Sequence, residues 1–546
     1  MIDVLVIGSG GAGLTAALAA GAKGASVLVA GKGYPTNSQT SMAQGGINAA
    51  LGNAGEDSVE AHIADTLKSA HGLCDEVMVK TMCSRAAETI TWLESIGLPF
   101  SRTAEAKVAQ RQLGGAGQKR ACYSQDYTGL KILHTLYDTC LREGIDFLDE
   151  HYLLSLTTTE SGGERSISGV ILLDIASGEV KELHAKTVII ATGGYGSLYY
   201  GFTTNACGST GDGISAVVRA GGTLSDLEFV QFHPTALKSS SILISESARG
   251  EGGYLLNGRG ERFVDELLPR DIVARAIYDQ ISAGEQVYLD IRHLGEEKLS
   301  ELLPQELHLC RLHEGVDPVT ELIPVKPVAH YAMGGIDVRR SLEVKGIKGC
   351  FAVGECSNAK VHGANRLGGN SLLEIIAFGK IAGDHAAAAA AAAAARSTFT
   401  APAERSRLKE SQAFVESCFK TDPSDNFYEA RDRLGALFYH QAGIVRDADG
   451  LEHALADLLE IRKMLPLMGV EDRNRRYNTN LIDFLEFLRM LELGEMLLTG
   501  ALHRRESRGA HYRKDFPRED DLSCLAHTCY RREGDNILVT LERSYE

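Results

Sequence analysis

The first thirty residues contain the feature that most constrains the fold. Residues 2–7 are a short apolar run with β-branched side chains, typical of a buried parallel strand. They lead directly into Gly8-Ser9-Gly10-Gly11-Ala12-Gly13 and then a helical run at 14–22. In such a motif the first glycine makes the turn, the second admits a pyrophosphate, and the third lets helix and strand pack closely. The pattern predicts a dinucleotide-binding α/β sheet, with a helix N-terminus facing the phosphates.

The segment after the second predicted strand, 26–30, departs from the general motif. A ribose hydroxyl is usually held there by Asp or Glu, but the chain has Ala30-Gly31-Lys32. This departure weakens the case for NAD and leaves FAD open. A later strand that ends in two glycines, 187–194, resembles the second flavin-contact strand of flavoproteins with two dinucleotide folds; alone it would be an ordinary strand and turn.

Composition excludes several classes of protein. The 546 residues carry a formal net charge of −16, which disfavours nucleic-acid binding. The ten alanines at 386–395 are too short and weakly apolar for a membrane span, and the early first strand leaves no room for a secretory leader. Eleven scattered cysteines with no C-x-x-C pair predict reduced thiols and no metal or iron–sulfur centre in this chain. We therefore expect a cytoplasmic protein with no direct membrane span.

A long ordered series of motifs runs through most of the chain. Its segments are Ala43-Gln44-Gly45-Gly46, Arg120-Ala121-Cys122-Tyr123, Thr210-Gly211-Asp212-Gly213, Gln231-Phe232-His233-Pro234-Thr235, Glu246-Ser247-Ala248-Arg249-Gly250-Glu251-Gly252-Gly253, Pro269-Arg270-Asp271, His330-Tyr331-Ala332-Met333-Gly334-Gly335, the run from His362 to Leu372, and Arg505-Glu506-Ser507-Arg508-Gly509-Ala510-His511. This series resembles the flavoprotein subunit of the succinate dehydrogenase/fumarate reductase family.

L-aspartate oxidase, which makes iminoaspartate for NAD biosynthesis, is a close relative that shares many of these motifs. Residues 120–136 and 367–370 resemble the reductase more closely, whereas 57–100, with Gly72-Leu73-Cys74-Asp75, resemble the oxidase. We favour the reductase and keep the oxidase as an alternative. A third alternative is a catalytically inactive flavin-binding assembly subunit, against which the intact set of charged motif residues argues.

The resemblance implies an α/β FAD-binding Rossmann-like domain with an inserted α+β capping domain and a C-terminal helical domain. The expected boundaries are 1–228 and 328–395 for the FAD-binding domain, 229–327 for the capping domain, and 396–546 for the helical domain and a polar tail. Apolar residues at helical spacing between 451 and 498 support the last assignment. The active site would then lie at a domain interface, where small-molecule pockets often form.

The same resemblance assigns residues to a four-carbon dicarboxylate substrate. His330 and Arg366 would hold one carboxylate, and His233 and Ser245 the other, where the family commonly has Thr in place of Ser. Arginine suits this role because its planar fork binds a carboxylate bidentately. Each residue alone has an ordinary structural explanation, such as a buried turn histidine. Their joint occurrence inside matching motifs favours the functional one.

Proton transfer is assigned to three charged residues. The resemblance implies that Arg270 is the proton donor, although arginine is an unusual acid whose pKa exceeds about 12. Glu246 and Arg249 would replace its proton, and their spacing places them on one face of a helical turn. Pro269-Arg270-Asp271 predicts a helix start. A structural salt bridge is the alternative explanation for Glu246 and Arg249.

FAD is the implied cofactor, and no metal site is expected. The residues expected to contact FAD are Gly8, Gly10, Gly11, Gly13, Lys32, Ser38, Gln39, Gly45, Gly46, Asp212, Glu355, Ser371 and Leu372. The N-terminus of a helix from 372 to 383 would stabilise negative charge on the reduced ring. The family's respiratory members have a flavin-linking histidine where this chain has Gln39, so we predict non-covalent FAD with a lower potential, which favours fumarate reduction.

Electrons need a route out of this chain, which carries no second cofactor motif. The family usually provides an iron–sulfur subunit, with or without a membrane-anchor subunit. We therefore expect an iron–sulfur partner, which would attach the chain to the cytoplasmic face of the membrane where an anchor is present. Aspartate oxidase needs no such partner. The physiological direction and the electron donor are left open at this point.

Overall fold

A computed structural model describes residues 2–394, 404–420, 423–534 and 536–543. Its strands group into four sheets. They are β1 Ile2–Ile7, β2 Val27–Ala30, β3 Ile47–Asn48, β4 Gln110–Arg111, β5 Ala121–Cys122, β6 Asp146–Leu148, β7 His151–Ser161, β8 Glu164–Asp174, β9 Val180–Ile190, β10 Leu224–Ser225, β11 Val230–Leu237, β12 Tyr254–Leu256, β13 Val287–Asp290, β14 Ile323–Ala332, β15 Gly335–Asp337, β16 Cys350–Ala352, β17 Ser357–Asn358, β18 His527–Glu533 and β19 Asn536–Glu542.

The helices vary from one turn to 25 residues. They are α1 Gly11–Ala22, α2 Val59–Ser69, α3 Glu76–Ser84, α4 Ala86–Ser95, α5 Thr128–Arg142, α6 Asp212–Arg219, α7 Glu246–Gly250, α8 Arg270–Ser282, α9 Glu296–Leu302, α10 Pro304–His313, α11 Asn370–Ala394, α12 Glu404–Lys420, α13 Phe427–Gln441, α14 Ala448–Met464 and α15 Thr479–His503. The predicted flavin helix is therefore α11, which begins before residue 372 and continues well past 383.

A seven-stranded sheet forms the centre of the molecule. Its order is β6-β2-β1-β9-β8-β7, and β16 also pairs with β9. Strands β6, β2, β1, β9 and β16 pair in parallel, whereas β7, β8 and β9 form an antiparallel meander. Because β1 is buried on both faces it is a continuous apolar run. Helices α1 and α11 pack against each other beside this sheet, so the glycine turn and the start of α11 face a common space.

The segment between residues 229 and 327 builds a smaller unit with its own core. Strands β11, β14, β13 and β12 form an antiparallel sheet in that order. Fifteen buried apolar residues from 237 to 325 form a cluster separate from the main core. Strand β14 continues to Ala332, past the expected boundary at 327. His330 therefore lies on a strand of this smaller sheet, although it was expected in the FAD-binding part.

The described parts of the C-terminal region up to residue 503 contain α12, α13, α14 and α15, and the apolar residues at helical spacing between 451 and 498 lie mostly on α14 and α15. In the tail, for which only a polar character was predicted, β18 and β19 form a hairpin that joins β10, β15 and β17 in a five-stranded sheet. Buried polar contacts attach this hairpin to the centre: Tyr530 Oη donates to Glu228 Oε2 (2.7 Å), and Arg504 donates to Glu228 Oε1 (2.7 Å) and to Thr528 Oγ1 (2.9 Å). Such contacts between segments distant in sequence cannot be read from local patterns.

The alanine run and the segment that follows it lie at the limit of the described residues. Residues 396–405, which follow the alanine run and for which Pro402 predicts helix and linker, lie mostly outside them, since only α12, which begins at Glu404, falls within the range. The alanine run continues α11 to residue 394. None of the helices in the described ranges combines the length and the apolarity that a bilayer crossing needs.

Candidate active site

One elongated cavity of about 610 Å³ connects the glycine turn with the smaller sheet. Its wall contains most of the residues that the sequence assigned to cofactor and substrate. These are Gly8, Gly10, Gly11, Lys32, Ser38, Gln39, Gly45, Gly46, Asp212, His233, Ser245, Glu246, Arg270, His330, Glu355, Arg366, Ser371 and Leu372. Gly13 and Arg249 lie behind this wall, and each contacts a residue that belongs to it.

The three glycines of the turn differ in the space around them. Gly8 has φ +112°, and a Cβ there would lie 2.2 Å from the carbonyl oxygen of Ala191. A Cβ on Gly13 would lie 1.9 Å from the carbonyl oxygen of Gly8, so close packing requires glycine at both positions. A Cβ on Gly10 would lie no closer than 3.5 Å to its neighbours, Thr40 and Ser38, so this position is less crowded than the other two.

The cavity offers polar atoms that no protein group satisfies, as a bound dinucleotide would require. Ser38 Oγ, Gln44 Oε1 and Thr192 Oγ1 are buried and have no hydrogen-bond partner in the described part of the chain, and all three residues line the cavity. Buried polar groups are normally paired. Together with the glycine turn and the two helix N-termini of α1 and α11, these atoms fit FAD.

A buried ionic cluster lies beyond the glycine turn. Lys32 Nζ donates to Asp212 Oδ2 and Glu486 Oε1, both at 2.5 Å, and to Thr210 Oγ1 at 3.2 Å. Burial alone would lower the pKa of Lys32, but the two carboxylates outweigh it and raise the pKa. Burial raises the pKa of Glu486 to about 7 against the opposing effect of Lys32. Glu486 comes from α15, so the helical region contributes to this wall.

No acidic residue follows β2, but the strand beside it, β6, is followed by one. Glu150 follows β6, whose Leu148 pairs with Ala30 of β2, and Glu150 lines the cavity. The carboxyl ends of parallel strands meet at one edge of a sheet. A carboxylate thus lies at the edge where the sequence alone showed none.

Glu246 is the centre of a buried chain of charged groups. Its Oε2 accepts from Arg270 Nη2 (2.6 Å) and Nε (3.2 Å), and its Oε1 accepts from Arg249 Nη2 (3.3 Å). Burial alone would raise the pKa of Glu246, but Arg270 and Arg249 outweigh it and hold the pKa at about 2. Glu246 is therefore an anion between two cations, and both Glu246 and Arg270 line the cavity together with the two imidazoles.

Local sequence explains why these charges meet. Ser245 caps α7 by accepting from Ser247 N at 3.1 Å, which starts the helical turn that carries Glu246 and Arg249. Pro269 precedes α8, so Arg270 is its first residue, as predicted. Residues 246 and 270 nevertheless belong to separate helices, and only their packing brings the two side chains together.

Two imidazoles lie side by side next to Arg270. The ring centroids of His233 and His330 are 4.9 Å apart. His330 Nδ1 lies 2.7 Å from Thr204 Oγ1, and His233 Nδ1 lies 3.0 Å from the carbonyl oxygen of Thr235. Burial and then neighbouring cationic groups hold the pKa of both histidines well below the usual value. Both are neutral at pH 7 and can offer ring nitrogens to a ligand.

Arg366 is a buried cation poised for an anion. Its guanidinium lies over the ring of Tyr331 at 4.2 Å, and its Nη1 makes a long 3.4 Å bond to the carbonyl of Leu367. Its Nε is buried and has no partner among the described residues. Burial, with a further effect of Arg270, lowers the pKa of Arg366 to about 10. A carboxylate from a ligand would satisfy this cation.

Sequence reasoning missed three residues that position the site. Gln231 accepts from Arg270 Nη1 at 3.0 Å and donates to the carbonyl of Arg366 at 2.7 Å, so it joins the two guanidinium-bearing segments. Gln231 lies two residues before His233 in the same motif, so its position in the sequence could have identified it as a site residue. Tyr331 directly follows His330 and could have been identified as a site residue for the same reason. Glu486 had no sequence signal, because it lies on a distant amphipathic helix.

Gln39 is held by the loop that follows β9. Its Oε1 accepts from Ala206 N at 2.7 Å, and its Nε2 donates weakly to the carbonyl of Thr204 at 3.5 Å. Thr204 in turn contacts His330. An amide at this position therefore has a structural function and lines the cavity without a nucleophilic atom.

Two family models match the chain. A model described as an FAD binding domain matches residues 3–372, and one described as the fumarate reductase flavoprotein C-terminus matches residues 431–544. The first contains the glycine turn and the charged cluster. The second contains α14, α15 and the tail hairpin.

Curated relatives and solved structures agree with these matches. The 8-methylmenaquinol:fumarate reductase flavoprotein subunit of Wolinella succinogenes is 40% identical over 98% of this chain and 89% of its own. The Escherichia coli fumarate reductase flavoprotein subunit is 36% identical over 98% and 92%. A structure of quinol-fumarate reductase with menaquinol superimposes with a TM-score of 0.94 at 35% identity over 100% of this chain and 98% of that one. Mycobacterium smegmatis Sdh1 in complex with UQ1 has a TM-score of 0.86 at 31% identity over 100% and 95%. The chain therefore belongs to the fumarate reductase/succinate dehydrogenase flavoprotein subunit family.

Proposed function

We propose that this protein is the catalytic flavoprotein subunit of a fumarate reductase/succinate dehydrogenase, an FAD-dependent oxidoreductase acting on the CH–CH bond of a four-carbon dicarboxylate. The observation that carries the proposal is the convergence of Arg270, His233, His330 and Arg366 at one end of the cavity. A buried Glu246 and Arg249 lie directly behind Arg270. Cations and neutral donors that line one cavity suit a dianion, and a buried charge chain suits proton delivery.

The substrate would be gripped at both ends. Arg366 and His330 bind one carboxylate, where the guanidinium Nε has no acceptor among the described residues and Nη1 makes only a long bond to the carbonyl of Leu367. His233 and Ser245 bind the other. Because both imidazoles are neutral, they contribute hydrogen bonds while the arginines contribute the charge. The two carboxylates thus fix the central C–C bond beside Arg270 and beside the ring expected near Gly45, Gly46, Ser371 and Leu372.

FAD would supply or accept a hydride at N5 when it is bound. The protein's own task in fumarate reduction is then to protonate the adjacent carbon as negative charge develops there. Arg270 delivers that proton, and its positive charge stabilises the developing anion before the transfer. A proton that passes from Arg249 through the Glu246 carboxylate restores Arg270. In succinate oxidation the same groups carry the proton in the opposite direction.

The smaller unit acts as a cap in this proposal. Arg270, Glu246, Arg249, His233, Ser245 and His330 lie on its strands and helices, while the glycine turn, Arg366 and α11 lie outside it. Its separate hydrophobic core would let it move as a body. Closure over the cavity excludes water and brings Arg270 against the substrate.

FAD is proposed to bind without a covalent link, because Gln39 occupies the position of the linking histidine. The amide is committed to Ala206 N and offers no nucleophile. After acid precipitation of the purified protein, we expect a colourless pellet and free FAD in the supernatant. Yellow colour that remains on the denatured polypeptide would contradict non-covalent binding. The absence of the link also implies a lower potential and a bias toward fumarate reduction.

We propose that the flavin exchanges electrons with an iron–sulfur subunit. Support comes from the relatives, which are named as flavoprotein subunits of larger reductases. Among the described residues there is no group of three or more potential metal ligands. A membrane-anchored partner would place the chain at the cytoplasmic face of the membrane.

A pair of assays separates the reductase from the oxidase. With reduced viologen as the electron source, we expect rapid reduction of fumarate by the purified chain loaded with FAD. With L-aspartate and oxygen, we expect peroxide formation at less than one hundredth of that rate, because two anion-binding ends leave no acceptor dedicated to an ammonium group. The opposite ratio would establish the oxidase, and inactivity in both assays would favour the assembly subunit.

A further inference from the structure

The end of the cavity beside the carboxyl end of β6 is built by three segments that are far apart in the sequence. Glu150, Ile175 and Tyr477 all line it. Ile175 N donates to the carbonyl of Glu150 at 2.9 Å, and Tyr477 N donates to the carbonyl of Ile175 at 2.8 Å. A continuous backbone ladder therefore fixes the positions of these residues relative to one another.

Tyr477 is held in a conformation that local forces disfavour. Its φ is +50° and that of Glu150 is +58°, although neither residue is a glycine. A left-handed backbone is unfavourable for such residues and persists where the surrounding structure enforces it, often at ligand sites. The side chain of Tyr477 is 61% exposed, so packing of the aromatic ring against the protein does not explain its placement.

The loop around Tyr477 is rigid. Asn478 Nδ2 donates to the carbonyl of Asp472 at 2.8 Å, and Asn478 Oδ1 accepts from Leu481 N at the start of α15. A Cβ on Gly178 would lie 2.5 Å from the carbonyl oxygen of Arg475, so the loop is pressed against the turn that follows Ile175. The tyrosine is thus presented at a fixed place on the cavity wall.

The chain topology identifies which part of the cofactor reaches this end. The pyrophosphate belongs at the glycine turn, 8–13, and the flavin ring belongs beside Arg270 and α11. The remaining end of the dinucleotide, adenosine, must extend along the carboxyl edge of β2 and β6, where Ala30 pairs with Leu148 and Glu150 follows. That edge leads to Ile175 and Tyr477.

We infer that Tyr477 stacks on the adenine of bound FAD, with Ile175 beside it and the Glu150 carboxylate available to the ribose. The helical region then binds the cofactor directly, through an aromatic ring that precedes α15. A planar base gains affinity from an aromatic face whatever its hydrogen-bonding pattern. This inference rests on FAD as the cofactor under the proposed function.

Calorimetric titration of the apoprotein tests this role. The chain is freed of FAD and titrated with FAD, ADP or FMN, with no dicarboxylate present. Tyr477→Ala should weaken FAD and ADP binding by about tenfold or more, since base–aromatic stacking is lost. Tyr477→Phe should retain both affinities within about threefold. FMN, which has no adenosine, should bind wild type and Tyr477→Ala equally.

A matched control and a contradicting outcome complete the test. Leu467→Ala removes an apolar side chain of similar exposure (49%) from the helical region but away from the cavity, and should leave all three affinities unchanged. Unchanged FAD affinity in Tyr477→Ala, or equal weakening of FAD and FMN, would overturn the inference. Because no substrate is present, that result would leave the proposed reaction unaffected.

Discussion

Arg270→Ala is expected to lower fumarate turnover by about 10⁴-fold while FAD stays bound. The change removes the proposed proton donor and the cation nearest to the developing charge. It also removes the bonds from Arg270 to Glu246 and Gln231, while the glycine turn and α11 remain intact. Reduced-viologen assays measure turnover, and the flavin absorbance of the purified variant measures FAD content.

Two further variants separate chemistry from stability. Arg270→Lys keeps a cation beside Glu246 but cannot bind Glu246 and Gln231 with one planar fork, so turnover should remain at least 100-fold below wild type. Arg292→Ala removes a half-exposed arginine from the same unit, where it pairs with Asp290, and should behave as wild type. Turnover of Arg270→Ala within tenfold of wild type would exclude Arg270 as the acid.

Glu246→Gln is expected to give the second largest loss, about 10²- to 10³-fold in kcat. The amide keeps the shape of the carboxylate but cannot accept and pass on a proton, and it leaves Arg270 and Arg249 without their shared anion. Removing one partner of a buried ion pair also destabilises a protein by about 3–5 kcal/mol. Turnover and thermal unfolding of the FAD-loaded protein should therefore both change, and normal kcat would contradict the relay.

Glu306→Gln is the matched control for that substitution. Glu306 is equally buried in the same unit, where its Oε1 accepts from Ser245 N at 2.7 Å. Burial, with a further effect of Asp126, raises the pKa of Glu306 well above its usual value and so favours the neutral carboxyl, the opposite of the shift at Glu246. An amide should replace it with less than a fivefold effect on kcat. The pKa values of these two buried glutamates are shifted in opposite directions. The same substitution is therefore expected to lower kcat strongly at Glu246 and to change it little at Glu306.

The pH dependence of unfolding provides an independent test of the charge on Glu246, by comparing Glu246→Gln with wild type. The pKa of Glu246 is held at about 2, below the value of about 4.3 for an unfolded glutamate. Its stabilising contribution is complete above the unfolded pKa and is lost as the pH falls toward 2. Glu246→Gln lacks this contribution, so its stability should fall less between pH 4.5 and pH 2 than that of wild type.

The motif residues could be predicted from the sequence because the role of each depends on its residue type and its immediate neighbours. The roles of Gly8 and Gly13 follow from the motif, and the structure shows the same close contacts with Ala191 and Gly8. The helix start at Arg270 also followed from Pro269, whereas the Ser245 cap of α7 was seen only in the structure. The position of His330 was predicted less well, because strand β14 continues across the expected boundary.

The sequence alone determined the nucleotide-binding turn, the identity of the charged residues and the family they indicate, since these depend on residue type and short spacing. The tertiary structure decided how they act together. Packing of separate helices places Arg270 against Glu246, β6 brings Glu150 to the edge where β2 has no acid, and the C-terminal region contributes Glu486 and Tyr477 to the cavity. These contacts join residues up to 454 positions apart, and no local pattern encodes a distance of that kind.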